Sequence, residues 1–161
     1  MKKGRNHLLW SSVNSKDKPK KHTLEVTSTM PIKYFEAPDV KKLVNEIADC
    51  LDLFHIVPQF VFCYRSKGST SGRTIARIHG LGKIWQEALS LPPSYVIEVI
   101  SERYDRLSET DREKTVIHEL LHIPHGFAGG FRPHKGYIDY ETVERLHKML
   151  QKQRAAKKAS F

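Results

Sequence analysis

The sequence predicts an α+β fold, with three or four strands in a mixed sheet and helices grouped around it. Three observations carry that expectation. The 161 residues are 39% hydrophobic, enough for one domain with a real core. Three runs, FVFCYRS, RTIARIHG and SYVIEVIS, have the alternation or β-branched content of strands. Two others, APDVKKLVNEIADCLDLF and SETDREKTVIHELLHI, repeat apolar residues at helical spacing.

In chain order, residues 1–22, with SSVNSKDKPKK at their centre, have the Ser, Lys and Pro content of a flexible basic arm. Residues 23–150 read as the folded domain and 151–161 as a basic tail. The stretch HTLEVT, residues 23–28, is either a fourth strand or part of the arm. Pro38 suits a first helical position, and Val40, Leu43, Val44, Ile47 and Leu51 then mark an amphipathic helix of about four turns. In PQFVFCYRS, Phe60, Phe62 and Tyr64 alternate with Val61 and Cys63; the turn-like KGSTSG and then RTIARIHG follow, which suggests a hairpin. KIWQEALSL is a short helix ended by Pro92 and Pro93, and SYVIEVIS is a further strand. Ser108 and Asp111 resemble a capping box at the start of a helix whose core side is Val116, Ile117, Leu120 and Leu121. Pro124 and Gly126 stop it; beyond the GFAGGFRPHKG loop, DYETVERLHKMLQKQ regains helical periodicity.

The net charge of +9 sits at the ends of the chain. Residues 1–21 carry seven Lys or Arg against one Asp, and residues 147–161 carry five against none, so the stretch between them is −2. The folded part is therefore not a basic platform, although the tails can make non-specific contact with nucleic acid by counterion release. No apolar run approaches a membrane span and the N-terminus lacks the apolar stretch of a signal peptide, so a cytoplasmic protein with no membrane contact is expected. Two cysteines, Cys50 and Cys63, are too few for a zinc ribbon and are expected as buried thiols.

The stretch HELLHIPHGFAGGFRPH, residues 118–134, carries four of the nine histidines. From this composition a His-Glu-x-x-His pattern is expected by chance roughly 0.03 times. On a helix, His118 and His122 lie one turn apart, so both imidazoles can point at one ion, while Glu119 can reach a metal-bound water without ligating the metal. A catalytic zinc needs a third protein ligand. His125 falls on the same face, but Pro124 breaks the helix before it, which leaves it to line the cleft or cap the helix end. His134, beyond the glycines at 126, 129 and 130, can fold back to the open side of the ion and is the expected ligand, with Glu141 or Glu144 as the alternative.

HELLHIPHGFAGGFRPH, together with IHGLGKIWQEALSLPPSYVIEVISERYDRLS upstream, resembles the archaeal and phage metallopeptidases, a small group within the zincin clan, and more distantly the SprT-type minimal metalloproteases. The similarity covers most of residues 35–150. It implies a minimal zincin-like domain: a small twisted sheet, an active-site helix bearing His118, Glu119 and His122, and a third ligand that falls on His134. The eleven residues between His122 and His134 are too many for the metzincin pattern, in which Ala128 would be the third ligand, and fewer than in SprT-type enzymes.

The expected activity is that of a zinc metallopeptidase with one Zn2+ per chain, in which Glu119 takes the proton of the attacking water and passes it to the leaving amine. Arg132, Tyr137 and His125 are candidates for contact with the oxyanion or the substrate. The expected partner is a peptide or protein lying along a strand, and SYVIEVI is either that edge or an ordinary core strand. The sequence specifies neither cleavage site nor oligomeric state. Two rival readings are a non-catalytic zinc-containing module that binds nucleic acid through its basic tails, and a zinc hydrolase acting on a non-peptide bond.

Overall fold

The structure, a computed structural model, describes residues 31–159. Strands β1 (Lys33–Glu36), β2 (Val61–Lys67), β3 (Ala76–Gly80) and β4 (Tyr95–Ile100) form one mixed sheet in the order β1-β2-β4-β3. Its helices are α1 (Pro38–Cys50), α2 (Lys83–Leu89), α3 (Ser101–Tyr104), α4 (Glu109–Leu121) and α5 (Tyr140–Ala159). The α+β expectation holds, with four strands. The fourth is Lys33–Glu36; the stretch 23–28 and the basic arm 1–22 lie outside the described residues.

One expectation is corrected. β2 and β3 do not form a hairpin, because β4 lies between them, parallel to β2 and antiparallel to β3. The physical reason is composition. Tyr95, Ile97, Glu98, Val99 and Ile100 of β4 are all buried, and an apolar strand of this kind is most stable with a neighbour on both sides. β3 carries Arg77 and His79 and takes the edge, where both reach the buried carboxylate of Glu98, His79 at 2.8 Å and Arg77 at 3.5 Å. SYVIEVI is thus the core strand, and among the described residues the outer strands are β1 and β3.

The core lies between the sheet and α1 and α4. Val40, Val44 and Ile47 of α1, at helical spacing, and Val116, Ile117 and Leu120 of α4 meet Val61, Cys63, Ile97 and Val99. Leu121, expected on the core side, is only partly buried. Pro38 occupies the first turn of α1, and Ser108 caps α4 by accepting the Asp111 N–H at 3.1 Å while its hydroxyl bonds the Asp111 carboxylate at 2.7 Å. Cys50 and Cys63 are free and buried, and burial pushes the Cys63 thiol up to about 11. Among the described residues no helix is long and apolar enough to cross a membrane.

The basic stretch that begins at residue 151 is helical as far as Ala159, and it is tied into the domain. Arg154 donates through Nε and Nη2 to the two carboxylate oxygens of Glu46, at 2.7 and 3.0 Å, and through Nη1 to Glu113. Glu113 is 2% exposed, and its other oxygen lies 2.7 Å from both His147 Nε2 and Gln151 Nε2. This cluster joins α1, α4 and α5, and Glu113 would be costly to bury without it. Arg154→Ala is therefore expected to lower unfolding free energy by about 3 kcal/mol, read by urea denaturation. The guanidinium bond from Arg154 holds the Glu46 carboxyl below its usual range, so that part of the stabilisation is present above the unfolded value and lost as pH falls through the folded one. The gap between wild type and variant should accordingly narrow below about pH 4.

Candidate metal centre

The site is built on the C-terminal half of α4 and the chain that returns to it. His118 and His122 lie one turn apart, with ring centroids separated by 5.1 Å. After α4 the chain makes a tight turn, in which the Phe127 N–H donates to the Pro124 carbonyl at 2.9 Å and Phe127 takes a positive φ of 43°. The glycine pair then reverses it. Gly129 has φ 89°, and a Cβ there would stand 2.2 Å from the Leu81 carbonyl oxygen, so the backbone approach requires glycine. The returning strand is clamped to the end of α4: the Arg132 N–H donates to the His122 carbonyl at 2.8 Å, and His122 Nδ1 lies 2.8 Å from the Arg132 carbonyl. Two residues later His134 meets His118, Nε2 to Nε2, at 3.1 Å.

One ligand atom from each of His118, His122 and His134 falls within 4.8 Å of the others. Two nitrogens each about 2.0–2.1 Å from a tetrahedral ion stand about 3.3 Å apart, close to the His118–His134 separation. With Nδ1 of His122 donating to the Arg132 carbonyl, Nε2 keeps its lone pair free for a ligand bond. Burial, reinforced by the other two imidazoles, lowers His118 to about 4, so it is neutral near pH 7 as a ligand must be. Three imidazoles suit a zinc-like ion better than a hard cation. The group is compatible with a metal on distance and on the His122 tautomer.

Glu119 lines the same cleft as the three histidines and bonds the backbone of Ile78 in β3. It is 7% exposed, and burial raises its carboxyl to about 7 against the opposing hydrogen bond from the Ile78 backbone. Ala76, Arg77 and Ile78 of β3, together with Phe131, Arg132, Glu119 and the three histidines, enclose a cleft of about 400 Å³. A larger cavity of about 710 Å³ shares Ala76, His118 and Glu119 with it. That cavity runs along α4 to α5 over the apolar side chains of Ile75, Leu107, Ile138 and Val143, and the Lys114–Glu144 ion pair bridges the two helices at its side.

Of the residues singled out from sequence, His118, Glu119, His122, Arg132 and His134 come together around the cleft. Arg132 lines the cleft, its Nη2 is buried without a hydrogen-bond partner among the described residues, and its charge also bears on His55. Glu144 is committed to Lys114, and neither it nor Glu141 joins the histidine group. His125 is exposed and packs edge-on against His55 at 4.5 Å, away from the triad. Tyr137 is 59% exposed; only its backbone reaches the site, donating to the His134 carbonyl at 3.1 Å. Sequence reasoning missed the β3 edge, Phe131 and the apolar cavity wall, since each depends on which strand ends up beside α4. It also missed Tyr95 and Gln86, whose side chains reach the 126–130 loop; the adjacent glycines at 129 and 130 were the one available signal of a close approach.

An α+β domain whose active-site-like helix and return loop present three histidines to one point defines a protein with a candidate metal centre. The particular family follows from comparison: residues 32–159 match the model of the family described as "Putative phage metallopeptidase", and the chain belongs to that family. Comparison with curated proteins and with solved structures found no match.

Gly129→Ala should release the return loop, since the new methyl meets the Leu81 carbonyl and the positive φ disfavours any side chain. The expected outcome is a loss of about 2 kcal/mol or more and new cleavage within residues 124–134 by limited proteolysis, with the α1–α4 core still protected.

Proposed function

We propose that this protein is a zinc-dependent metallopeptidase in which His118, His122 and His134 hold one Zn2+ per chain and Glu119 is the general base and acid. The observation that carries the reading is the convergence of three imidazoles beside the buried carboxylate of Glu119, the residue after His118 on the same helix. Zinc held there would lower the pKa of a water molecule and polarise a carbonyl. Glu119, beside both cavities, accepts the proton of the attacking water as its oxygen bonds to the peptide carbon, and delivers that proton to the amine as the C–N bond breaks. Arg132, which lines the cleft and has a guanidinium nitrogen without a hydrogen-bond partner among the described residues, is favoured over Tyr137 and His125 as the donor to the developing oxyanion.

The substrate reading rests on β3. β3 is an outer strand whose far side has no strand partner among the described residues; at Ile78 its backbone bonds Glu119, and that side borders the histidines, so an extended peptide can add to it by main-chain hydrogen bonds. A side chain next to the scissile bond then enters the apolar cavity beside Glu119, which has room for a large aliphatic or aromatic group. The non-catalytic nucleic-acid reading loses ground at the C-terminus, where Arg154 and Lys157 are paired with Glu46, Glu113 and Asp49.

Purified protein is expected to take up about one zinc per chain, measured by elemental analysis, with weakened uptake in His134→Ala. Glu119→Gln should keep the metal while peptide-library cleavage falls by about 10³-fold; full activity in that variant would sink the assignment of the base. Thr115→Trp, which fills the apolar cavity from α4, should abolish cleavage next to large apolar residues and spare sites flanked by glycine or alanine, as mapped by mass spectrometry of the products.

A further inference from the structure

The third histidine is delivered by a loop, and what holds that loop is not α4 alone. Tyr95, the first residue of β4, is fully buried. Its hydroxyl accepts the Gly129 N–H at 2.9 Å and donates to the Gly130 carbonyl at 3.0 Å. Its ring packs edge-on against two loop side chains, Phe127 at 4.9 Å and Phe131 at 6.2 Å between centroids. One side chain of the central strand thus touches the loop at residues 127, 129, 130 and 131. From the other side Gln86 of α2, 6% exposed, donates through Nε2 to the Ala128 carbonyl at 3.0 Å and to the Leu81 carbonyl at 2.6 Å. The same Leu81 carbonyl is the atom that Gly129 approaches too closely for any side chain, and a Cβ on Gly80 would stand 2.4 Å from the Gly129 oxygen.

These contacts satisfy polar backbone groups of the loop interior that neither the sheet nor α4 reaches, and a buried orphan there would be costly. They also leave His134 only four residues beyond the last polar anchor at Gly130, with the Arg132–His122 clamp between. We infer that Tyr95 and Gln86 are positioning residues for the metal centre: they dock the 127–131 turn against the sheet so that His134 closes on His118 and His122. The inference rests on the three-histidine reading above. Tyr95 acts through the loop and touches none of the ligands.

The test is a double-mutant cycle on zinc affinity, read by competition with a chromophoric chelator, in wild type, Tyr95→Phe, His134→Ala and the double variant. Tyr95→Phe keeps the ring and deletes only the hydroxyl; Gln86→Met serves as the second, independent variant. Circular dichroism verifies that each is folded. About ten-fold weaker zinc binding is expected from Tyr95→Phe in the wild-type background, and no further loss in the His134→Ala background. An unchanged affinity, or the same loss in both backgrounds, overturns the positioning role while leaving the three-histidine site intact. If instead wild type binds no zinc, or His134→Ala binds it as tightly as wild type does, the three-histidine reading falls and this inference with it. Amide exchange of the metal-free protein gives a readout independent of zinc: Gly129 and its neighbours should exchange faster in Tyr95→Phe while α1 stays protected, and unaltered exchange at Gly129 overturns the docking.

Discussion

Two hydrogen bonds between His122 and Arg132, one from main chain to main chain and one from an imidazole to a carbonyl, close the chain after α4 into a loop that cannot drift from the helix. They do two things at once. The last carbonyls of a helix have no partner within it, and the Arg132 N–H supplies one at the point where α4 ends. The imidazole half of the pair fixes the orientation of His122 by using the ring nitrogen that does not face the other histidines. Helix termination and ligand orientation are thus solved by the same contact, and a change that loosens the loop removes both.

The same helix carries two buried carboxylates that are treated in opposite ways. Glu113 is surrounded by Arg154, His147 and Gln151, so its charge is answered by partners from α5. Glu119, six residues later and on another side of α4, receives among the described residues a backbone hydrogen bond from Ile78 of β3, and burial raises its carboxyl to about 7. The first carboxylate is compensated and holds helices together; the second is under-compensated and faces a cleft. Perturbed groups of the second kind gather where chemistry is done, and the contrast within one helix makes a purely architectural account of Glu119 difficult.

Much of this was legible in the chain itself. Periodicity located α1, α4 and most of α5, Ser108 and Asp111 marked the start of α4, and the pattern around His118 lies on the part of α4 where three histidines converge. Sheet order was not legible, because strand pairing is decided by competition: the Gly/Ser turn before β3 favoured a local hairpin, and the apolar content of β4 overrode it by claiming the centre. His134 was reached by elimination, whereas its actual placement depends on Tyr95 and Gln86, residues that read in sequence as an ordinary strand start and a helix surface. Nor did the basic C-terminal stretch reveal its acidic partners, since Glu46 and Glu113 lie on helices far away in sequence.

Placing β4 between β2 and β3 also has a consequence for how the molecule comes into being on the ribosome. When β3 has emerged, its sheet neighbour among the described residues, β4, has not yet been made, while β2 can already pair with β1. The sheet becomes continuous only once β4 has been synthesised and inserted, a long-range event of the kind that slows folding. α4 and the return loop follow still later in synthesis, so the histidines can be brought together only after the platform beneath them is complete. The order of synthesis thus makes all four strands of the platform before the histidine cluster can assemble.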